Sequence, residues 1–236
     1  MTSVDTGAVY ERTRLAVVAT VAGLTDRRLR MVVPATPDWR VRDVLAHVVG
    51  LTADLNAQRF PDVDDVGGAA WGRRQVAGRR NLAIDEIFAE WSREAPVFEE
   101  GLRLFGYELG SHFVADLHAH HQDMRGAVGS PVDDDALTVA VALDHYLGFL
   151  DQLLTAAGWG TLEVVAGDEE RSLGGVGPHH ARMAASAFEV LRCCSARRSA
   201  RQIRSLKWRG DVEALLTLLQ AGFTGGYSLP TADLIE

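Results

Sequence analysis

The chain has 236 residues, of which 47% are hydrophobic and 24% are charged, values typical of a folded domain with a sizeable core. It carries 24 Lys and Arg against 32 Asp and Glu, a formal net charge of −8. This acidic balance disfavours a nucleic-acid-binding class, which usually needs a basic face. Lys207 is the only lysine, and the dominance of Arg, Ala, Val and Gly indicates a bacterial, GC-rich origin.

The two cysteines, Cys193 and Cys194, are adjacent and therefore unsuited to pair with each other. We expect no disulfide framework, which fits a reducing cytoplasm. The first residues are polar and lack the apolar core of a signal peptide, and no run of about 18 apolar residues predicts a membrane span. We expect a cytoplasmic protein with neither nucleic-acid nor membrane partners; its oligomeric state is open.

Apolar residues at helical spacing predict five helices in the first two thirds of the chain. These cover 9–23, 41–59, 71–104, 111–129 and 133–157. Residues 33–39, which contain two prolines, form a rigid connection, and residues 60–70 form a loop. Pro96 is expected to kink or divide the third helix. Ser111 is the expected N-cap of the fourth helix.

The composition shifts after Gly158. The alternating segment 161–165 predicts a strand, and the segment 167–180 that follows is Gly-rich and polar. Short helices are expected at 181–194, 200–206 and 212–219, before an irregular tail at 222–236. The sequence thus predicts a mainly α protein, with a helical bundle over residues 1–158 and a small α+β domain over residues 159–236.

The fourth helix contains three histidines and two carboxylates within residues 116–123. Because residues four apart stack one turn above each other, Asp116 and His120 form a two-ligand clamp for a divalent metal. His118 points nearly opposite and His121 lies on another shoulder, so both are interpreted as surface or groove residues. Asp123 is either a further ligand or, as outer carboxylates commonly do, the acceptor of a hydrogen bond from a ligand imidazole.

The clamp needs a third ligand, and His47 on the second helix is the candidate. Three protein ligands that leave one open position are typical of catalytic zinc. The alternative is that Asp116 and His120 form a solvated pair and that His47 is an interior histidine satisfied by hydrogen bonds. The spacing alone leaves both readings open.

The motifs resemble the mycothiol-dependent maleylpyruvate isomerase family, within the DinB-like superfamily of metal-binding bundles. The resemblance runs over the Pro–Trp turn and His-bearing helix 33–47, the segment 71–91, the Asp-x-x-x-His-x-x-Asp-x-Arg-x-x-x-Gly pattern 116–129, and the C-terminal segment 188–211. It implies a DinB-like four-helix bundle, a small C-terminal α+β domain, and metal ligands at His47, Asp116 and His120. This chain departs from the family pattern in carrying Asp116 in place of Glu and Ala196 in place of Gly.

The resemblance also implies a divalent metal, with zinc the leading candidate, mycothiol as thiol cosubstrate, and a small-molecule substrate. A metal-coordinated thiol is deprotonated near neutral pH, which suits thiol transfer to, or isomerisation of, a small electrophile. Cys193 and Cys194 then read as core residues. Arginines are candidates for binding anionic groups or, alternatively, form a solvated face: Arg73, Arg74, Arg79, Arg80, Arg125, Arg197 and Arg198. The rival functions are a non-catalytic metal-binding module that senses a ligand or partner, and a hydrolase with metal-activated water.

Overall fold

The computed structural model describes residues 4–131, 135–220 and 229–235. The described helices and strands are, in chain order, α1 Thr6–Ala22, α2 Asp26–Leu29, β1 Val32–Val33, β2 Thr36–Arg40, α3 Val41–Asn56, α4 Ala69–Arg79, α5 Ile84–Phe105, α6 Tyr107–Val128, α7 Ala136–Ala156, β3 Gly160–Ala166, β4 Glu169–Gly174, β5 His179–Ala185, α8 Ala187–Cys194, α9 Ala200–Arg204, β6 Lys207–Gly210 and α10 Val212–Gln220. A 3-10 turn, Val66–Gly68, precedes α4. The mainly α class predicted from the sequence is confirmed.

Contacts between Cα atoms divide the chain into two compact units, one ending at Thr138 and one beginning at Val139. In the first unit α1, α3, α5 and α6 pack against one another, which is the predicted four-helix bundle, and α4 packs on α3. Most of α7 belongs to the second unit. The domain boundary between residues 158 and 159 stays a prediction.

The bundle core is built from the apolar stripes that the sequence shows. On α3, Val44 and Leu45 are fully buried; α5 and α6, which pack on α3, bury Trp91 and Leu117. Burying a side chain of this size contributes about 1.5–3 kcal/mol relative to leaving it exposed. These stripes fix which faces of α3 and α6 meet, and so which polar side chains come between them.

The predicted third helix is two helices, and the division expected at Pro96 is wrong. The break lies at residues 80–83, where the Arg42 guanidinium donates hydrogen bonds to the carbonyls of Arg80 and Leu82 at 3.1 and 3.0 Å. The carboxylate of Glu86 then accepts from the backbone N–H of Ala83 at 2.6 Å and begins α5. Pro96 lies inside α5, where a proline removes one hydrogen bond but flanking buried side chains hold the helix.

The histidine-bearing helix begins one turn earlier than predicted. Gly106, with φ of 87°, turns the chain into α6 at Tyr107, so the expectation of an N-cap at Ser111 is wrong; the Ser111 hydroxyl instead donates to the carbonyl of Glu108 at 3.0 Å. The predicted end is confirmed, since Gly129 adopts a left-handed φ of 62° just after Val128. Before α7, the expected Asp133 and Asp134 lie outside the described residues.

The second unit carries a four-stranded sheet in the order β4-β3-β5-β6. Strand β3 pairs antiparallel with β4 and parallel with β5, and β5 pairs antiparallel with β6. The predicted strand at 161–165 is confirmed by β3. The Gly-rich segment 167–180 contains β4, and the helix expected from Ala181 begins as β5, because pairing on both sides overrides the helix preference of Ala and Met. Residues 229–235 contain no helix or strand, and the rest of the predicted tail, 222–228 and 236, lies outside the described residues.

Within the described ranges, none of the helices has both the length and the apolar character needed to cross a membrane.

Candidate functional site

Two of the predicted ligands, His47 on α3 and His120 on α6, meet inside the bundle. Their imidazole rings lie edge to face, with centroids 5.0 Å apart and planes at 80°. The side chain of His120 is only 8% exposed. Two imidazoles bound to one tetrahedral zinc have ring centres roughly 5 Å apart, given Zn–N distances of about 2.0–2.1 Å. The separation of the two rings is therefore the one that a shared metal would need.

The imidazole of His120 lies between two carboxylates of its own helix. Its Nε2 is 3.6 Å from Oδ1 of Asp116, one turn before, and its Nδ1 is 3.5 Å from Oδ2 of Asp123, one turn after. Both separations are longer than a good hydrogen bond, and Nδ1 is buried without a hydrogen-bond partner in the described structure. The side chain of Asp116 is 35% exposed whereas that of Asp123 is fully buried. Asp116 thus has the more open position, whereas Asp123 lies inside the bundle next to Nδ1 of the His120 ring.

The other histidine is held by side chains from three further positions. Nδ1 of His47 lies 2.7 Å from Oε1 of Gln75 on α4, and Nε2 of Gln75 donates to Oδ2 of Asp54 at 3.1 Å. The ring of Trp39, from the Pro–Trp turn, covers His47 with ring centroids 4.9 Å apart. Nδ1 of His47 therefore has the hydrogen-bond partner expected of a satisfied interior histidine. This contact is compatible with metal binding through Nε2.

Two glycines allow α4 to approach α3 closely enough for these contacts. A Cβ at Gly50 of α3 would lie 2.6 Å from Cβ of Gln75 and 2.6 Å from Nη1 of Arg79. A Cβ at Gly72 of α4 would lie 3.4 Å from Nδ1 of His47. The buried Gln75 amide, 2% exposed, depends on this close packing of backbones. Sequence reasoning missed Gln75 because a single Gln between arginines on an exposed-looking helix carries no periodic signal.

The three predicted ligands are only partly assembled. His120 is brought next to both Asp116 and His47. In the part of the chain that the structure describes, however, no group of three or more His, Cys, Asp or Glu side chains is arranged to hold a metal ion. Metal binding by His47, Asp116 and His120 therefore stays a prediction.

The interpretation of His118 and His121 as surface or groove residues is wrong. His118 is 3% exposed and His121 is fully buried. Nε2 of His121 lies 2.9 Å from the Thr20 hydroxyl of α1. Helical angles identify a single apolar face, whereas α6 packs against α1, α3 and α5 and buries most of its circumference.

Several of the candidate arginines are engaged within the fold. Arg79 is buried and holds Glu90 of α5 through two hydrogen bonds, at 2.8 Å from Nε and 2.5 Å from Nη2. The remaining pairings are Arg74 with Asp62, Arg125 with the carbonyl of Pro131, and Arg198 with Glu189. Arg73 and Arg80 are exposed. Structural roles therefore account for the two buried members, Arg79 and Arg198, and no arginine is assigned to a substrate.

A cleft of about 1050 Å³ opens beside the Gln75 side of this cluster. Its walls come from the end of α3, the following loop, α4 and α5, and they include Asp54, Gln75, Trp71 and Phe60. The indole Nε1 of Trp71 is a buried donor without a hydrogen bond in the described structure. The three predicted ligands do not line this cleft. Asp54 and Gln75 are therefore the residues that connect the cleft to the histidine cluster, by which we mean His47, His120 and the side chains that contact them.

The cysteines are core residues, as predicted. Both lie in α8 and are buried in the second unit. Burial raises the pKa of the Cys194 thiol to about 12 and raises the pKa of Cys193 even further. Since the thiolate is the nucleophile, neither cysteine supplies one near neutral pH.

Comparison with known proteins agrees with the resemblance. Residues 11–125 match the family model described as mycothiol maleylpyruvate isomerase N-terminal domain. No curated protein matches the chain.

Two crystal structures are similar in fold, both of the mycothiol-dependent maleylpyruvate isomerase. One is a His-to-Ala variant, with a TM-score of 0.56 and 10% identity; the other has a TM-score of 0.53 and 12% identity. Each alignment covers 86% of this chain and 91% of the other. At this identity the likeness shows a shared fold. The family model over residues 11–125 and the fold shared with these two structures both agree with the resemblance that the motifs indicated.

Proposed function

We propose that this protein is a metal-dependent enzyme that uses a low-molecular-weight thiol, mycothiol. The reaction is either transfer of the thiol to a small electrophilic substrate or isomerisation of that substrate. The observation that carries the proposal is the edge-to-face pair of His47 and His120, with the carboxylate of Asp116 at Nε2 of His120. This cluster lies within the segment that matches the mycothiol-dependent family.

In this proposal the metal is held by His47, Asp116 and His120, with zinc the leading candidate. Two imidazole nitrogens and a carboxylate oxygen suit zinc and several other divalent metals. Such a metal would supply a position at which a thiol loses its proton near neutral pH. The protein's own cysteines, buried in α8 and held protonated, leave that role to an external thiol.

The side chains around the cluster have separable tasks. Asp123, buried at Nδ1 of His120, would accept a hydrogen bond from the N–H of that nitrogen and so direct Nε2 toward the metal. Trp39 covers His47 and restricts its ring rotation. Asp116, partly exposed, stands on the side from which solvent or a small molecule can approach. We place the enzyme in the cytoplasm, where the reduced thiol it needs would persist.

The test is to purify the full chain, measure bound metal by elemental analysis, and assay it with mycothiol. Two readouts run in parallel: isomerisation of maleylpyruvate followed by its absorbance, and loss of free thiol with small electrophiles. The expected result is about one divalent metal per chain, and one of the two activities, lost in His47→Ala.

Three results would overturn the proposal in different ways. Stoichiometric metal with neither activity would favour a non-catalytic binding module. Activity that persists after chelation and in His47→Ala would show that the histidine cluster is not the reaction centre. Hydrolysis of an ester or amide substrate without any thiol would favour the hydrolase instead.

A further inference from the structure

Gln75 connects a carboxylate at the end of α3 to the imidazole of His47. Its Nε2 donates to Oδ2 of Asp54 at 3.1 Å, and its Oε1 lies 2.7 Å from Nδ1 of His47. The other oxygen of Asp54, Oδ1, accepts from Nε of Arg59 at 2.9 Å. Both oxygens of this carboxylate are thus engaged by donors.

The chemistry of these groups fixes the direction of each hydrogen bond. An ionised carboxylate only accepts, so the amide of Gln75 must turn its NH₂ group toward Asp54. Its carbonyl oxygen then faces His47, and an amide oxygen also only accepts. The hydrogen atom between Gln75 and His47 must therefore be carried by Nδ1 of the imidazole. In a neutral imidazole this leaves the lone pair on Nε2.

The position of Gln75 is built by packing and is not a chance contact of a flexible chain. Gln75 is 2% exposed, and its backbone carbonyl accepts from Nη1 of Arg79 at 3.1 Å. Arg79 is in turn clamped by Glu90 of α5. The absence of a side chain at Gly50 lets α4 lie against α3 at this point. A buried amide in such a place must satisfy its hydrogen bonds locally, which gives it one orientation.

We propose that Gln75, oriented by Asp54, is a positioning residue that sets the tautomer of His47 with the proton on Nδ1 and the lone pair on Nε2. The prediction for the tautomer depends on the hydrogen bonds alone. Its consequence for a metal rests on the function proposed above: a fixed Nε2 lone pair is the form in which imidazole binds a metal. Outer hydrogen bonds of this kind typically change metal affinity by about 10–100-fold.

The first test reads the tautomer directly. Nitrogen-15 NMR of histidine-labelled full-length protein, treated with a chelator, distinguishes protonated from unprotonated ring nitrogens, and His47→Ala assigns the signals. The wild type should show a protonated Nδ1 for His47. Gln75→Leu should lose this preference. Asp54→Asn, which keeps the shape but can donate, should let the amide of Gln75 reverse and move proton population toward Nε2.

The matched control is Gln152→Leu, the same substitution at an exposed position of α7. It should leave the His47 signals unchanged. A wild-type His47 protonated only at Nε2, or signals unaltered in both Gln75→Leu and Asp54→Asn, would overturn the inference. If Gln75→Leu does not fold by circular dichroism, the near-isosteric Asp54→Asn decides the question.

The second test is titration of the chelated proteins with Zn²⁺ or Co²⁺. Gln75→Leu should bind about 10–100-fold more weakly than the wild type and the Gln152→Leu control. An altered tautomer in protein that binds no metal would support the positioning role while overturning the proposed function. If Gln75→Leu keeps the wild-type tautomer of His47 and binds metal as tightly as the wild type, the positioning role is overturned and the proposed function remains intact.

Discussion

Gly50 on α3 stands so close to Gln75 on α4 that a Cβ at position 50 would lie 2.6 Å from Cβ of Gln75. The contact involves the root of a side chain, which cannot swing away, so any residue larger than Gly must move one helix relative to the other. The spacing of α3 and α4 therefore depends on this position.

We expect Gly50→Ala to destabilise the protein by about 1–3 kcal/mol, the range for overpacking a well-packed site. The control is Gly78→Ala on α4, where a Cβ would have no atom within 4 Å. That substitution should be neutral or stabilising by up to about 1 kcal/mol, because Ala is the better helix former. Urea denaturation measures both. Equal effects at the two positions would contradict the close packing of α3 and α4.

The two histidines should be separately necessary for metal binding. His47→Ala and His120→Ala each remove one imidazole from the pair and should abolish stoichiometric retention of a divalent metal after dialysis. His180→Ala, at an exposed position of β5, serves as the control and should retain the metal content of the wild type. Retention of metal by both bundle variants would place the metal site elsewhere in the protein.

Asp116 is the position at which this chain departs from the pattern that it resembles. Asp116→Asn keeps the size of the side chain but removes its charge. Loss of an outer hydrogen bond weakens metal affinity by about 10–100-fold, and we expect a larger loss here. Asp116→Glu should retain binding, since the side chain is 35% exposed and a longer carboxylate has room. Calorimetric titration with Zn²⁺ compares them. If Asn binds as well as Glu, Asp116 is not a ligand.

The buried cysteines give a pH dependence that is independent of any metal. A thiol is neutral when protonated, and burial raises the pKa of Cys194 to about 12 from an unfolded value of about 8.5. The folded state therefore binds the proton more tightly than the unfolded state does. This contribution to stability is complete below about pH 8.5 and is lost as the pH rises toward 12.

The corresponding measurement is thiol labelling. At pH 8 a disulfide reagent should react with neither cysteine of the folded protein and with both after denaturation. The free energy of unfolding should fall above pH 8.5, and it should fall less in a variant with Ala at both positions. Rapid labelling of the folded protein would contradict the burial of α8.

The meeting of His47 and His120 could be foreseen because each lies on a long helix with a clear apolar stripe. The break between α4 and α5 could not, since it is held by Arg42, some forty residues earlier in the chain, through carbonyls that no local pattern marks. The strand β5 could not be predicted from the sequence for a similar reason. Its segment Ala181–Ala185 has the composition of a helix, and only its pairing with β3 and β6 makes it extended.

The candidate site divides in the same way. Residues on one helix, Asp116 with His120, follow from spacing. The partner of His47 does not, because Gln75 reaches it from a different helix through backbone packing at Gly50. Contacts of this kind depend on the distance between two backbones, which a sequence pattern does not contain.

Strand β6, at the edge of the sheet, carries the chain's single lysine, Lys207, with its side chain in solvent. An amine-reactive fluorophore would therefore attach to the second unit at one defined side chain, with the α-amino group as its only competitor. Paired with an intrinsic tryptophan or a dye at an engineered cysteine, this label offers a spectroscopic reporter on the second unit that needs no change to the histidine cluster.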